Sequence, residues 1–133
     1  SDATAGLPSP DTLAGKAWQY ADFITGMTIR AKQPGFTRAA WDELAEMVAV
    51  NDFVRVGRFK EVMDWQQSVD LMDQFARIAE FHNEIVRVNE VDNVVFLELQ
   101  ERNTMNGQTM EMVTMTVFEF NEAGKITRLD FFQ

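Results

Sequence analysis

Apolar residues recur at helical spacing through the first half of the chain and at strand spacing through the second. Leu13, Ala17, Tyr20/Ala21, Ile24 and Met27 follow the helical period, and Ser9, Pro10 and Asp11 suit its cap, first position and positive end. Pro34-Gly35 ends that helix. Thr37 can cap a second, with Trp41, Leu44, Ala45 and Val48 as its stripe and Asn51-Asp52 as its close. Phe53 to Val62 alternates loosely and predicts a short strand, with Gly57 marking a bulge. Trp65, Val69, Met72, Ala76 and Ala79 then predict a third helix, from Trp65 to Glu80.

Beyond Glu80 the residues become β-branched and aromatic. Strands are predicted over Phe81–Val91, Val94–Thr104, Thr109–Phe120 and Ile126–Phe132. Asp92-Asn93, Asn106-Gly107 and Asn121–Gly124 are the turns between them, and Asn-Gly is the strongest short hairpin signal. Helices first and hairpins afterwards predict an α+β domain with an antiparallel meander. The strands are apolar on both faces. Met110, Met112, Phe118 and Phe120 share one face of their strand, and Val113, Met115 and Val117 share the other. A sheet with one wet face alternates apolar with polar. Three helices can cover one face here, and a second copy of the sheet is the simplest cover for the other. A homodimer through the outer sheet face is therefore expected.

The formal charge of −9 and the scattered basic residues argue against nucleic-acid or anionic-membrane partners. Arg55, Arg58 and Lys60 are the densest basic group and are too few to track a phosphate backbone. No apolar run approaches the roughly 20 residues of a membrane span. Absence of cysteine rules out thiolate catalysis and zinc-thiolate sites, and a single histidine rules out a multi-histidine metal site. No metal and no cofactor is expected. Residues 1–8 are read as a disordered lead-in without signal-peptide character, and 9–133 as one domain, with a cytoplasmic location expected.

The order of elements over residues 10–133 resembles the nuclear transport factor 2-like superfamily, and within it the SnoaL-like proteins. The string from Val117 to Phe132 is similar to the closing hairpin of ketosteroid isomerases, limonene epoxide hydrolases and polyketide cyclases. Trp41 to Leu44, running into Asn51-Asp52, resembles the second helix and its exit in that group. The resemblance implies a cone-shaped roll, with three N-terminal helices packed on a curved antiparallel sheet and a pocket between them. It also implies dimers through the outer sheet face.

The family's chemistry transfers unevenly. Tyr20 resembles the helix-one tyrosine of the isomerase oxyanion hole, but Thr116 stands where the protonated aspartate would be and Gly57 near the base position. Arg102 resembles the arginine of the epoxide hydrolases, and Asp130 one of their aspartates, if the last hairpin is one residue shorter. Thr104 holds the place of the other. Arg102 and Asp130 are read either as catalytic partners or as a buried structural pair.

Glu98, Gln100 and Arg102 share one face of an otherwise apolar strand, as convergent polar groups of a pocket or as solvated residues. His82 is a candidate acid/base or a surface histidine, and Asp52 a candidate base or a turn residue. Trp65, Met112, Thr114, Thr116 and Phe118 are candidate pocket walls, with the methionines read first as core filler. The expectation is a small apolar-molecule pocket protein, with cofactor-independent isomerase, cyclase or hydrolase chemistry by acid/base residues. The alternative is a non-catalytic binding or dimerisation module whose cavity is filled by its own side chains.

Overall fold

The structure is a computed structural model that describes residues 6–133; residues 1–5 of the expected lead-in lie outside the described residues. Helix α1 runs Leu13–Arg30 and is capped by Thr12, whose hydroxyl accepts from the Gly15 amide at 3.0 Å. The cap falls three residues after the expected Ser9. Ser9 instead closes a turn, its carbonyl accepting from the Thr12 amide at 3.1 Å. That turn folds back on the helix, and a Cβ at Gly15 would lie 1.9 Å from the Ser9 carbonyl oxygen, so only glycine fits there. The helix buries Ala17, Tyr20, Met27 and Thr28.

The expected second helix is much shorter. A 3-10 turn, Arg38–Trp41, runs into one α-helical turn, α2, Asp42–Ala45. The Trp41 indole is buried and donates to Asp73 Oδ1 at 3.0 Å. The chain then leaves the helix to lie along residue 126. Ala49 donates to the Ile126 carbonyl at 3.0 Å, and Ile126 donates to the Met47 carbonyl at 2.9 Å. These bonds take backbone groups that a longer helix would have needed.

Two short strands replace the single one expected over Phe53–Val62. They are β1, Val54–Val56, and β2, Val62–Met63, paired antiparallel. Helix α3, Trp65–Ile78, starts with a capping box. Asp64 Oδ1 accepts from the Gln67 amide at 2.8 Å, and Gln67 Oε1 accepts from the Asp64 amide at 2.9 Å. Lys32 Nζ donates to the carbonyls of Thr28, Ala76 and Ala79, binding together the C-terminal ends of α1 and α3.

Four long strands follow: β3, Ala79–Val91; β4, Val94–Met105; β5, Gln108–Phe120; and β6, Ile126–Phe132. They pair as successive antiparallel hairpins, as the turn residues predict. Asn106 and Gly107 both take positive φ, 53° and 76°, the signature of a two-residue hairpin. Strand β1 adds parallel to β6, which makes the six-stranded sheet mixed, in the order β2-β1-β6-β5-β4-β3. The architecture is the expected α+β roll, three helices on a curved, open sheet.

Pairing fixes the faces. Val95, Leu97, Leu99, Thr114, Thr116, Phe118, Phe120, Ile126, Leu129 and Phe131 point to the helices. With Tyr20, Met27, Trp41, Leu44 and Trp65 they form one core. The opposite face carries Val94, Phe96, Val113, Met115, Val117 and Phe132. There Phe96 is 37% exposed, Val113 50% and Phe132 43%, so nothing among the described residues fully covers them.

Candidate functional site

The concave face holds a small polar group among apolar walls. Tyr20 comes from α1 and sets its ring edge-on to Phe118, centroids 5.7 Å apart. Trp65 and Ser68 come from the first turn of α3, with Met72 one turn further. Trp65 packs edge-on to Phe53 at 5.3 Å. Among the described residues the Tyr20 hydroxyl finds only the Met72 thioether, at 3.9 Å, a weak acceptor. Burial pushes its phenol above the ordinary 10.0. The nearby Arg55 charge and the Ser68 hydroxyl pull it partly back. Ser68 is thus close enough to act on the phenol, yet it does not meet hydrogen-bond geometry toward it. The Ser68 hydroxyl is fully buried with no partner among the described residues.

Arg55 completes the group from β1. Its register partner on β6 is Leu129, a concave-face residue, so its side chain starts on that face. The guanidinium lies over the Phe131 ring, 5.7 Å from its centroid, and one of its terminal nitrogens is buried with no hydrogen-bond acceptor. Gly57 makes room for it. A Cβ there would come within 3.0 Å of that nitrogen and 1.7 Å of Glu61 Oε1. The Glu61 carboxylate faces the same spot from the β1–β2 loop, its second oxygen accepting from the Phe59 amide at 3.0 Å.

A second polar set lies towards the β4–β5 hairpin. Thr114, buried, donates to Glu101 on the neighbouring strand, and Asn103 donates to the same carboxylate at 3.3 Å. Asn83 donates to Thr25 of α1 at 3.2 Å. The side-chain oxygens of Asn83 and Asn103 are buried without donors.

The expected site residues divide between the two faces. Tyr20, Trp65, Met112, Thr114, Thr116 and Phe118 stand on the concave side. Glu98, Gln100 and Arg102 do not: they point from the convex face, because the inward parity of β4 belongs to Leu97, Leu99 and Glu101. Glu98 pairs there with Arg87, and the Gln100 amide donates to the Met112 carbonyl at 3.4 Å. The Arg102 side chain is 65% exposed and 3.7 Å from Glu111. His82, on β3 opposite Arg102, is 61% exposed and 3.6 Å from Glu80. Asp130 also lies on the convex face, opposite Val117, and accepts from Arg128 Nε and Nη2 at 2.8 and 3.0 Å. Arg102 and Asp130 are therefore not paired, and the structure brings neither to Tyr20. Asp52 is exposed in a turn, its amide donating to the Ala49 carbonyl at 3.0 Å.

Arg55 and Ser68 are the site residues that sequence reasoning missed. The available signal was parity: Phe53, Arg55 and Gly57 alternate, and the first is a large apolar residue. Two surface depressions, of about 160 and 260 Å³, lie by Lys16, Glu46 and Lys125 and by Arg38, Asp42 and Gln66. Neither is lined by Tyr20, Ser68 or Arg55, although Trp65 and Val69 also line the second, and neither holds a buried unpartnered polar atom of the described residues. Among the described residues no cluster of three His, Asp or Glu is placed to hold a metal ion, and no helix is long and apolar enough to cross a membrane.

No protein-family model matches the chain, and no curated protein is significantly similar to it. Solved structures do match. A nuclear transport factor 2-like protein of unknown function from Cytophaga hutchinsonii superposes with a TM-score of 0.63 at 14% identity, over 91% of this chain and 88% of that one. An epoxide hydrolase of the limonene type from M. tuberculosis superposes at 0.60, with 14% identity, over 83% and 82%. A putative polyketide cyclase from Xanthomonas campestris pv. campestris superposes at 0.62, with 16% identity, over 84% and 90%. At such identities the likeness establishes the fold: this chain has the nuclear transport factor 2-like architecture.

Proposed function

We propose that this chain binds a small, largely apolar molecule on its concave face and presents the Tyr20 hydroxyl to an oxygen of that molecule. One observation carries the reading. A phenol and a serine hydroxyl are buried side by side in an apolar wall, and neither has a full hydrogen-bond partner. Buried polar groups are ordinarily satisfied, since an unmade bond costs about 1–3 kcal/mol. A chain that keeps two such groups together gains from a ligand that completes them. Held neutral by burial, Tyr20 is a donor across the physiological range.

The chemistry this supports is polarisation of a carbonyl or stabilisation of an enolate, as an isomerase or cyclase requires. Glu101, held by Thr114 and Asn103, is a candidate base on the same face. Two neighbours in fold are an epoxide hydrolase and a putative polyketide cyclase, and the second kind of chemistry fits better. Arg102 and Asp130, the residues that resemble the hydrolase set, stand on the other face. In this reading the working unit is a homodimer through the convex face, supported by the exposure of Phe96, Val113 and Phe132.

The alternative of a filled, non-catalytic module draws on the dense interior, where Trp41, Phe118, Met27 and Leu97 are almost wholly buried. A thermal-shift screen of lactones, cyclic ketones and phenols against wild type and Tyr20→Phe separates the two. The pocket reading expects hits whose stabilisation falls in the variant. A screen without hits, or hits indifferent to Tyr20, leaves the filled module standing.

A further inference from the structure

We propose that the molecule taken up beside Tyr20 is an organic acid, and that Arg55 anchors its carboxylate. The inference rests on the concave-face reading above and narrows it to a ligand class. A guanidinium is always charged and offers five N–H donors in a fixed plane. Burying part of it is expensive unless an acceptor or a counter-charge meets it. Here one terminal nitrogen is buried with no acceptor, and the one carboxylate that approaches it at Gly57, Glu61, stops short of an ion pair among the described residues. Its contact with the Phe131 ring offsets only part of the cost, since a ring face attracts the cation but accepts no conventional hydrogen bond.

The surroundings fit a carboxylate. Arg55 starts on the concave face beside Leu129 and lies over Phe131, the face that also carries Tyr20 and Ser68, and its charge acts on the Tyr20 phenol. A carboxylate has two oxygens and about four lone-pair directions, enough to take the guanidinium edge and a hydroxyl together. The apolar side chains in contact with Tyr20 and Arg55 are Phe118, Met72 and Phe131, which suit a flat apolar body. Gly57 leaves the backbone open where the guanidinium nitrogen and the Glu61 carboxylate approach each other. Glu61 is itself exposed and bonded to the Phe59 amide. It stands next to the anion site without filling it, and it would compete with an incoming carboxylate.

The test compares cinnamate with cinnamyl alcohol, two probes of like shape and different charge, by calorimetry on the intact protein. Cinnamate is expected to bind at least tenfold more tightly than the alcohol. Arg55→Met should erase that preference, and Arg55→Lys should restore part of it. Glu61→Gln should tighten cinnamate without affecting the alcohol. Equal binding of both probes, with Arg55→Met indifferent, overturns the acid assignment and leaves the concave pocket intact. Binding of neither probe to wild type overturns the acid assignment, and the neutral-ligand screen then decides the pocket by itself. If Arg55→Met does not fold, the wild-type preference and the Glu61→Gln response decide. An unchanged cinnamate affinity in Glu61→Gln counts against the anchor.

Discussion

Ser68 offers the sharpest test of the site, because binding and stability pull on it in opposite directions. Its hydroxyl is fully buried and has no hydrogen-bond partner. Leaving a buried hydroxyl unmade costs about 1–3 kcal/mol relative to its hydrated state. Ser68→Ala removes that cost and forfeits only the dispersion contacts of one oxygen, a few tenths of a kcal/mol. Ser68 sits inside α3, where alanine is also the better helix former by roughly 0.5 kcal/mol. The net expectation is a gain of about 1–3 kcal/mol. For a chain of this size that raises Tm by roughly 3–5 °C per kcal/mol.

The assay is a pair of measurements on one variant. Urea unfolding reads the stability change with the slope held fixed. Thermal shift with any hit from the ligand screen reads binding. Ser68→Ala should be more stable when free and less stabilised by ligand, as expected of a residue kept for function at a structural cost. Destabilisation of about 1 kcal/mol or more would refute the reasoning, since it would mean that the hydroxyl is satisfied in solution by Tyr20 or by water.

Other outcomes follow from single contacts. Tyr20 is the only tyrosine, and its folded value is raised above the unfolded 10.0. Below pH 10 both states keep the proton. Above it the unfolded chain ionises first, so stability should fall by up to about 1.4 kcal/mol per pH unit, and Tyr20→Phe should flatten that limb in alkaline urea titrations. Lys32→Met removes a cation bonded to three carbonyls at the ends of α1 and α3 and should cost roughly 1.5–3 kcal/mol by urea unfolding; a loss within about 0.5 would show the contact to be idle. Phe96→Arg, placed on the exposed centre of the convex face, should give a folded monomer by sedimentation where wild type is dimeric, and a monomeric wild type would sink the paired-sheet reading.

Much of the fold was legible because it is written locally. Asn106-Gly107 fixes a hairpin within its own two residues, and the three turns between the long strands set the register of the meander. The second helix misled because Trp41, Leu44 and Val48 have helical spacing, whereas tertiary bonds from Met47 and Ala49 to Ile126 claim the chain before the helix can extend. The candidate site was half legible for a related reason. Strand β4 carries polar residues on both parities, Glu98 and Arg102 on one and Glu101 and Asn103 on the other. Periodicity says that the two sets face opposite ways and says nothing of which way is inward. Arg55 was missed because the alternation of Phe53, Arg55 and Gly57 runs through a strand of only three residues, a weak signal, and because arginine is seldom buried.

The convex face explains why so many of the chemically attractive residues turned out to be elsewhere. Its centre is apolar: Phe96, Val113, Met115, Val117 and Phe132. Around them stand Arg87 with Glu98, Arg102 with Glu111, and Arg128 with Asp130. Pairs with at least one exposed partner contribute little to folding, so stability alone gives no reason to keep them. They do satisfy one another across or along the strands, which leaves the apolar centre free of unpaired charge. In a chain of net charge −9, two copies repel unless the approaching surfaces are locally balanced. The paired charges around the apolar centre meet that condition in part, while Glu84 and Glu119, exposed on the same face, add unpaired negative charge at its rim. If the proposed dimer forms through this face, Arg102→Ala and Asp130→Ala should weaken it by sedimentation and leave the ligand response of Tyr20 unchanged; ligand loss without a change in assembly would refute the division.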